Sequence, residues 1–393
     1  MEKNIARILP PNPFNPGTPI DPSDFVGRMR EIETFKEKLR QTASGSLASM
    51  SVAGGYGIGK TSFLHKCKVI AEENNALTIY FSLTEMDSQD RETLARMLVQ
   101  RLQEKVKEEV ILKRIASKAL DLIKKIKITI SGNVEISMQD TANTDFPNLH
   151  SALISAWETI KDSKSEIVFL IDEARILEKN KAKLILYLRS VLEQLQTKNI
   201  PIMIIPSGKF TISVSSGSGF SPLVRTFPPA ILENFTFEEM KTFVTKKLCD
   251  VGIILKQDLL KRVYEFTEGH PFIVSAYMAS AYVKMSPKEK EMNTLHFDAA
   301  DVEFTSRILA SFFARFYDAA SKNSRKVLHM IAEMKGVANL SDLSDKLHKR
   351  NNEISPYLAK LVQDGAIIRT DRGEYRLFHK LFGKYILQSN PIS

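Results

Sequence analysis

Residues 54–61 read Gly54-Gly55-Tyr56-Gly57-Ile58-Gly59-Lys60-Thr61, which is the pattern G-x-x-x-x-G-K-T. Glycines let the backbone turn its N–H groups onto an anion, the lysine reaches the β- and γ-phosphates of a nucleotide, and the threonine hydroxyl can ligate Mg²⁺. Residues 47–53 predict a short strand, and the segment from Ser62 to Cys67 predicts the start of a helix. This order predicts a loop that binds the phosphates of a nucleoside triphosphate, here called the phosphate loop.

Beyond the phosphate loop, strand-like apolar runs alternate with segments of helical periodicity, the pattern of an open parallel sheet. The predicted strands are residues 77–83, 167–173, 200–206 and 230–235, and the predicted helices are 91–107 with a basic continuation to about 125, 148–161 and 181–196. Alternating residues around Ser131-Gly132-Asn133 predict a hairpin insertion at about 126–138. The central part of the chain is therefore predicted to have an α/β fold.

Composition divides the 393 residues into four predicted parts. Six prolines between Pro10 and Pro22 predict an extended leader, residues 1–24, with Phe14 and Ile20 buried against the domain that follows. The α/β domain is assigned to residues 25–235. Helices at 238–250, 257–267 and 272–285 and a charged linker fill residues 236–297.

The last predicted part, residues 298–393, begins with a connecting helix at 298–320 and continues into a small compact domain. Three short helices at 324–334, 340–347 and 354–363 precede two strands at 366–369 and 375–378. That order predicts a winged helix, whose third helix could enter a DNA major groove. The candidate DNA contacts are Asn351, Asn352, Ser355, Tyr357 and Lys360 on this helix and Arg369, Arg372 and Arg376 on the wing.

The charge distribution leaves both DNA and protein partners open. The chain has a formal net charge of +9, and its basic residues cluster in the segment from Arg101 to Lys127 and after Ser321. Basic regions attract phosphate backbones or acidic partners, and a solvated lysine-rich helix face has the same composition.

The compartment is predicted from cysteine usage and apolar runs. The two cysteines, Cys67 and Cys249, have neither disulfide-framework nor zinc-site spacing. The longest apolar runs have strand length, and the first nine residues lack a signal-peptide core. A cytoplasmic protein without a membrane partner is expected.

Hydrolysis of a nucleotide requires a metal anchor and a group that orients water. Asp172 and Glu173 end a predicted buried strand, and ligand sites in open α/β sheets lie at the carboxyl ends of strands. Asp172, together with Thr61, is the candidate Mg²⁺ ligand, and Glu173 is the candidate base for the attacking water. Ser207, after the next strand, is a candidate contact between the metal acid and the γ-phosphate. Arg225 is a candidate cation for a neighbouring subunit's site, although a plain surface arginine is an equal alternative.

Four segments in order resemble P-loop ATPases of the AAA+ and STAND branch, specifically those related to archaeal origin-recognition initiators. They are Phe25-Val26-Gly27-Arg28 with Glu31, the phosphate loop (Walker A), the strand ending in Asp172-Glu173 (Walker B), and Gly269-His270-Pro271. The resemblance spans Phe25 to Ile386. It implies a P-loop ATPase domain with a parallel sheet, an α-helical lid at 236–297 and a C-terminal winged helix.

The resemblance also implies the nucleotide contacts and the cofactors. Arg28 is expected near the adenine and phosphates, and the 269–271 segment is expected to bring the lid over ATP or ADP bound with Mg²⁺. The implied nucleotide-binding residues are Arg28, Gly55, Tyr56, Gly57, Ile58, Gly59, Lys60, Thr61, Ser62, His270 and Pro271. The lid helix departs from many initiators, since His270-Pro271-Phe272-Ile273 contains no arginine. This departure predicts weak basal ATPase activity.

Two functions from different classes remain open at the level of sequence. The first is a nucleotide-switched ATPase that self-assembles and binds double-stranded DNA through its winged helix. The second is a STAND-like signalling or defence switch, in which the winged helix contacts protein and a partner supplies the sensor or effector. A scaffold that binds nucleotide without hydrolysing it is disfavoured by intact Lys60, Asp172 and Glu173.

Overall fold

The computed structural model describes residues 9–116, 149–174, 177, 183–208, 225–370 and 373–389. The predicted hairpin at 126–138 and Arg372 lie outside these residues. The chain divides into two compact units. The sheet unit comprises Asp21–Gly54 and Gly59–Leu232, and the helical unit comprises Met1–Ile20, Gly55–Ile58 and Glu233–Ser393.

The sheet unit is built on a parallel sheet of five strands in the order β2-β3-β4-β1-β5. The strands are β1 Ser51–Gly54, β2 Leu77–Ser82, β3 Ile167–Asp172, β4 Ile202–Gly208 and β5 Pro229–Leu232. The helices are α1 Met29–Ala43, α2 Lys60–Glu73, α3 Arg91–Ala116, α4 Leu149–Ile160 and α5 Lys183–Gln196. The predicted α/β class with a parallel sheet is confirmed.

The alternation of side chains along β3 explains why this strand is buried throughout. Ile167, Phe169 and Ile171 on one face join the apolar cluster formed with α3, α4 and α5. The other face carries Leu170 and Asp172, because successive side chains of a strand point to opposite sides. A strand covered on both faces requires an unbroken apolar run, which is why it could be recognised from the sequence.

Several boundaries in the sheet unit differ from the prediction, among them the ends of β4 and β5. Strand β4 runs to Gly208, so Ser207 lies within the strand and not after it. Parallel pairing of Val52 with Ser207 and of Ala53 with Gly208 accounts for the extension. Conversely, β5 ends at Leu232, three residues before the predicted end.

The helical unit begins with three helices and a short strand pair. These are α6 Phe237–Cys249, α7 Gln257–Thr267 and α8 Pro271–Val283, with β6 Ile254–Leu255 paired to β7 Glu291–Met292. Next come α9 Thr294–Glu303, a π-helical turn at Phe304–Leu309 and α10 Ala310–Asp318. The connecting helix predicted at 298–320 thus starts four residues earlier and contains a π-helical turn.

The C-terminal segment, residues 322–388, has the element order α-β-α-α-β-β-α. It comprises α11 Lys322–Glu333, β8 Val337–Asn339, α12 Leu340–Leu347, α13 Asn351–Asp364, β9 Ile367–Arg369, β10 Glu374–Leu377 and α14 Lys380–Gln388. The sheet order is β8-β10-β9, with antiparallel pairing. The three predicted helices and the two predicted strands are present, and β8 and α14 were not predicted.

The leader packs within the helical unit, whereas the sequence analysis expected it on the α/β domain that follows it. The ring of Phe14 is buried 6.0 Å from the ring of Phe243 on α6. Asn12 donates a side-chain hydrogen bond to the carbonyl of Ala279, and the Tyr282 hydroxyl donates to the carbonyl of Pro10. These contacts fix the leader against α6 and α8.

None of the described helices is both long enough and apolar enough to cross a membrane.

Glu166 should make stability depend on pH. It precedes β3, only 1% of its surface is exposed, and burial raises the pKa of its carboxyl to about 7 from an ordinary value near 4.5. The neutral form therefore stabilises the fold fully below about pH 4.5, and this contribution is lost as pH rises to about 7. One unit of pKa corresponds to about 1.4 kcal/mol, so the loss is about 3 kcal/mol.

We expect Glu166→Gln to remove this loss. The free energy of unfolding of the variant and of the wild type is measured with urea at pH 4.5 and at pH 8. Relative to the wild type, the variant should be about 3 kcal/mol more stable at pH 8 than it is at pH 4.5. Glu92→Gln, at an exposed position on α3, is the control and should give the same difference at both values. An equal difference at both pH values for Glu166→Gln would contradict the expectation.

Candidate nucleotide-binding site

The phosphate loop leaves β1 at Gly54 and enters α2 at Lys60. Gly57 and Gly59 have φ values of 74° and 95°, a region that side chains other than glycine rarely adopt. Gly59 is the N-cap of α2 and provides no side-chain cap for the first turn. A helix N-terminus without a side-chain cap is a site for a phosphate group, which suits the predicted ligand.

The two predicted metal ligands lie side by side. Thr61 Oγ1 donates a hydrogen bond of 2.6 Å to Asp172 Oδ2, although 111 positions separate the residues in the chain. Asp172 is buried at the end of β3, and its Oδ1 accepts from the backbone N–H of Glu173 at 2.9 Å. A hydroxyl and a carboxylate held together are oxygen donors of the kind that Mg²⁺ takes. The residues present therefore fit this cofactor.

Lys60 and Glu173 are the charged residues that adjoin Thr61 and Asp172 in the chain. Lys60 Nζ donates to the carbonyl of Gly54 at 3.2 Å, so the ammonium group curls back over the start of the phosphate loop. Glu173 is exposed and has a φ of 51°, which for a non-glycine residue costs on the order of 1 kcal/mol or more. This conformation turns the chain directly after Asp172, the candidate metal ligand.

Tyr80 and His65 lie near the Asp172 carboxylate, and neither was predicted from the sequence. The Tyr80 hydroxyl is 3.4 Å from Asp172 Oδ2, and the His65 ring meets the Tyr80 ring edge-on at 4.7 Å. Burial and the neighbouring Asp172 charge raise the pKa of Tyr80 to about 12, so the hydroxyl stays a donor. Burial lowers the pKa of His65. The alternation of side chains along the strands could have indicated Tyr80. It pairs with Leu170, and Leu170 lies on the same face of the sheet as Asp172, two residues later.

Ser207 lies on the same face of the sheet as Asp172. It is fully buried, and its Oγ has no hydrogen-bond partner within the described part of the chain. Strand β4 runs between β1 and β3, so Ser207 stands between the strand that leads into the phosphate loop and the strand that ends in Asp172. A buried hydroxyl without a partner is costly, which makes it a candidate for binding a ligand oxygen.

The tip of the phosphate loop, Gly55–Ile58, is held by the segment that precedes and opens α8. His270 Nε2 donates to the carbonyl of Tyr56 at 3.1 Å, and the N–H of Phe272 donates to the carbonyl of Gly57 at 3.2 Å. Pro271 is the first residue of α8, where its missing N–H costs no helical bond. Gly269 is required, because a Cβ there would lie 2.2 Å from the carbonyl oxygen of Phe235.

Two predicted arginines lie elsewhere in the sheet unit. Arg28 is buried with a φ of 59°, and its carbonyl accepts the N–H of Ile32 at the start of α1. Arg225 is exposed just ahead of β5. The roles of both in nucleotide chemistry remain predictions.

Two parts of the chain are similar to known protein families. Residues 28–205 match the family described as the KAP family P-loop domain. Residues 310–386 match a domain of unknown function, DUF8462. A search of curated proteins gave no match.

Solved structures similar to this chain agree with the fold. The Walker-type ATPase PABY2304 of Pyrococcus abyssi is 14% identical, with a TM-score of 0.59 over 93% of this chain and 97% of that one. The ORC2 protein of Aeropyrum pernix, in its ADPNP–ADP complexes, is 12% identical, with a TM-score of 0.56 over 92% of this chain and 95% of that one. The resemblance to P-loop ATPases related to origin-recognition proteins is confirmed at the level of fold.

Proposed function

We propose that the protein is a molecular switch that binds ATP, hydrolyses it slowly, and couples its nucleotide state to self-assembly and DNA binding. The observation that carries the proposal is the 2.6 Å contact between Thr61 and Asp172, which joins the phosphate loop to the end of β3. Mg²⁺ bound by these two residues would neutralise charge on the phosphates. The ADPNP–ADP complexes of the ORC2 neighbour support an adenine nucleotide as the ligand.

The residues of the site have distinct proposed roles. Lys60 binds the β- and γ-phosphates, and Glu173 accepts a proton from the attacking water. Ser207 contacts the γ-phosphate, to which its buried hydroxyl is suited. Arg225, exposed ahead of β5, serves a neighbouring subunit in a nucleotide-dependent homo-oligomer.

Slow turnover follows from the residues that open α8. In place of an arginine, His270 and Phe272 donate hydrogen bonds to carbonyls of the phosphate loop. These bonds hold the tip of the loop, and α8 itself contains no arginine or lysine that could contact the γ-phosphate. The test is Mg²⁺-dependent phosphate release by the isolated protein, which should be measurable but far below the median enzyme turnover of about 10 s⁻¹. A turnover at or above that median would contradict the proposal, and so would the absence of nucleotide binding.

DNA binding is assigned to the C-terminal segment. The contacts that residues of α13 make within the protein indicate which of them are available to contact bases. Asn351 and Asn352 are exposed in its first turn. The Tyr357 hydroxyl accepts a hydrogen bond from Asn323, and Lys360 is ion-paired to Asp364 at 2.8 Å. The start of α13 is therefore a better candidate for base contacts than its end.

The wing arginines divide between two faces. Arg369 pairs across the strands with buried Tyr375, whereas Arg376 pairs with Ile368, which is 39% exposed. Directly opposed residues in antiparallel strands share a face, so the two arginines point to opposite sides. Arg376 lies on the solvent-facing side and is the stronger phosphate candidate.

We expect Arg376→Ala to weaken binding to duplex DNA and to lower the slope of log affinity against log salt by about one. Fluorescence anisotropy with the full chain at several salt concentrations measures both quantities. Arg369→Ala, on the opposite face, is the matched control and should leave the slope unchanged. If the wild type does not bind duplex DNA at low salt, the DNA part of the proposal fails.

A STAND-like switch is the second candidate, favoured by the anchoring of α14. Buried His379 donates from Nε2 to the carbonyl of Thr267 at 3.0 Å, and its Nδ1 accepts the N–H of Leu381. Lys380 donates to the carbonyl of Glu265. A cation and donors at the C-terminus of α7 satisfy its last carbonyls and tie the C-terminal segment to the lid helices. Assembly with ATP that is indifferent to DNA would favour this candidate and a protein partner.

A further inference from the structure

One cation beside the phosphate loop has no role in the function proposed above. The tip residue Tyr56 has 45% of its surface exposed, and the Arg315 guanidinium carbon lies 3.7 Å from the centre of its ring. This is a close cation–π contact, in which the positive charge lies over the electron-rich face of the ring. Arg315 belongs to α10, 259 positions further along the chain.

The backbone of the tip is arranged for an anionic ligand. The carbonyls of Tyr56 and Gly57 are engaged by His270 Nε2 and by the Phe272 N–H. When the carbonyls of a loop are turned to one side, its N–H groups are directed to the other, where they form a concave anion site. The Arg315 guanidinium contacts Tyr56, which is one of the residues of this tip.

Arg315 differs from the other arginines of α7 to α10 in its charge partners. Arg262 is ion-paired to Asp298 and Asp301, and Arg307 is ion-paired to Glu303. Among the described residues, no carboxylate lies within ion-pair distance of Arg315. A guanidinium whose nearest partner is an aromatic ring can bind a phosphate without first breaking an ion pair.

The helix that carries Arg315 is firmly packed. The ring of Phe312 stacks on Phe272 at 4.5 Å, and the ring of Phe316 lies 4.6 Å from that of Phe378, which follows β10. The rings of Phe312 and Phe316 also lie 5.7 and 6.4 Å from the ring of Tyr56. Since the scaffold is fixed, the guanidinium is the part of this cluster that can move toward a ligand.

We propose that Arg315 is the residue that distinguishes nucleoside triphosphate from diphosphate. In the absence of triphosphate the guanidinium rests on Tyr56, and with triphosphate bound it leaves the ring and binds the terminal phosphate. This inference rests on the proposed nucleotide binding and concerns which nucleotide is bound, not how fast it is hydrolysed.

The test is equilibrium binding of a fluorescent non-hydrolysable ATP analogue and of fluorescent ADP, each with Mg²⁺, to the full chain. A charge-assisted hydrogen bond lost in Arg315→Ala should weaken the triphosphate analogue about tenfold or more and change ADP affinity less than threefold. Arg315→Lys should recover part of the loss. Arg307→Ala, in the same region and ion-paired to Glu303, is the matched control and should bind both nucleotides as the wild type does.

The outcomes separate this inference from the function on which it rests. If the wild type binds neither nucleotide, the proposed function itself fails. If the wild type binds both and Arg315→Ala binds both as tightly, or loses both equally while its thermal unfolding is unchanged, then Arg315 does not read the terminal phosphate. If Arg315→Ala unfolds at a lower temperature, Arg315→Lys decides, and equal losses of both nucleotides there would also overturn the proposal.

Discussion

Glu173→Gln should keep the affinity of the protein for ATP and lower its hydrolysis rate at least a hundredfold. Glutamine has the shape of glutamate but cannot accept the proton of the attacking water, and a positioned general base contributes about 10²–10⁴ in rate. Glu173 is exposed immediately after Asp172, the candidate metal ligand, so its replacement should leave the 2.6 Å contact between Thr61 and Asp172 in place. Single-turnover phosphate release and nucleotide affinity, measured on the same samples, provide the comparison.

Glu233→Gln is the matched control for that experiment, because Glu233 is exposed and directly follows β5 as Glu173 follows β3. The control should hydrolyse ATP at the wild-type rate. Wild-type hydrolysis by Glu173→Gln would mean that another group activates the water. A large loss of affinity would mean that Glu173 acts in binding.

Lys60→Ala should weaken ATP binding about a hundredfold. The ammonium group is the candidate contact to the β- and γ-phosphates, and a hydrogen bond between charged groups contributes up to about 3 kcal/mol. Lys60 Nζ donates to the Gly54 carbonyl at 3.2 Å, and a single hydrogen bond of this kind contributes only about 1 kcal/mol to stability, so thermal unfolding should change much less than ATP affinity. Isothermal titration with ATP and Mg²⁺ measures the change in affinity, and thermal unfolding measures the change in stability.

Lys68→Ala is the control for the lysine substitution, since Lys68 lies on the same helix and pairs with Glu72 at 2.8 Å. It should bind ATP with wild-type affinity. Equal affinities of Lys60→Ala and the wild type would place the phosphates away from the phosphate loop. Equal losses in both variants would indicate a general charge effect.

The parts of the fold that could be predicted from the sequence are those fixed by local chemistry. A glycine-rich turn that ends in Lys60-Thr61 is typical of a phosphate-binding loop. Strand β3 is buried on both faces and therefore requires an unbroken apolar run. Helix α7 has the predicted bounds because its apolar spacing and the glycine that follows it are local signals. The proximity of Thr61 and Asp172 could be predicted because binding residues in parallel sheets lie at the carboxyl ends of the strands, which are all at the same edge.

The features that could not be predicted depend on contacts between distant segments. Ser207 lies inside β4 because pairing with β1 extends the strand, and no residue near Ser207 encodes that pairing. The leader packs on α6 and α8 through Phe14, and its composition gave no indication of which surface it would cover. Arg315 lies in a helix of ordinary amphipathic sequence, and its contact with Tyr56 joins residues 259 positions apart, which no local signal encodes. Strand β8 has three residues, which is too short for a periodic signal.

The most direct test of the switch is the molar mass of the wild type and of Glu173→Gln, measured by light scattering with no nucleotide, with ADP and with ATP, each with and without duplex DNA. Glu173→Gln should hold ATP, because hydrolysis is blocked. The account predicts that ATP raises the mass of this variant, that ADP does not, and that duplex DNA joins the ATP-bound assembly. An unchanged mass of Glu173→Gln in all six conditions, at ATP concentrations that saturate the site, would contradict a nucleotide-dependent switch.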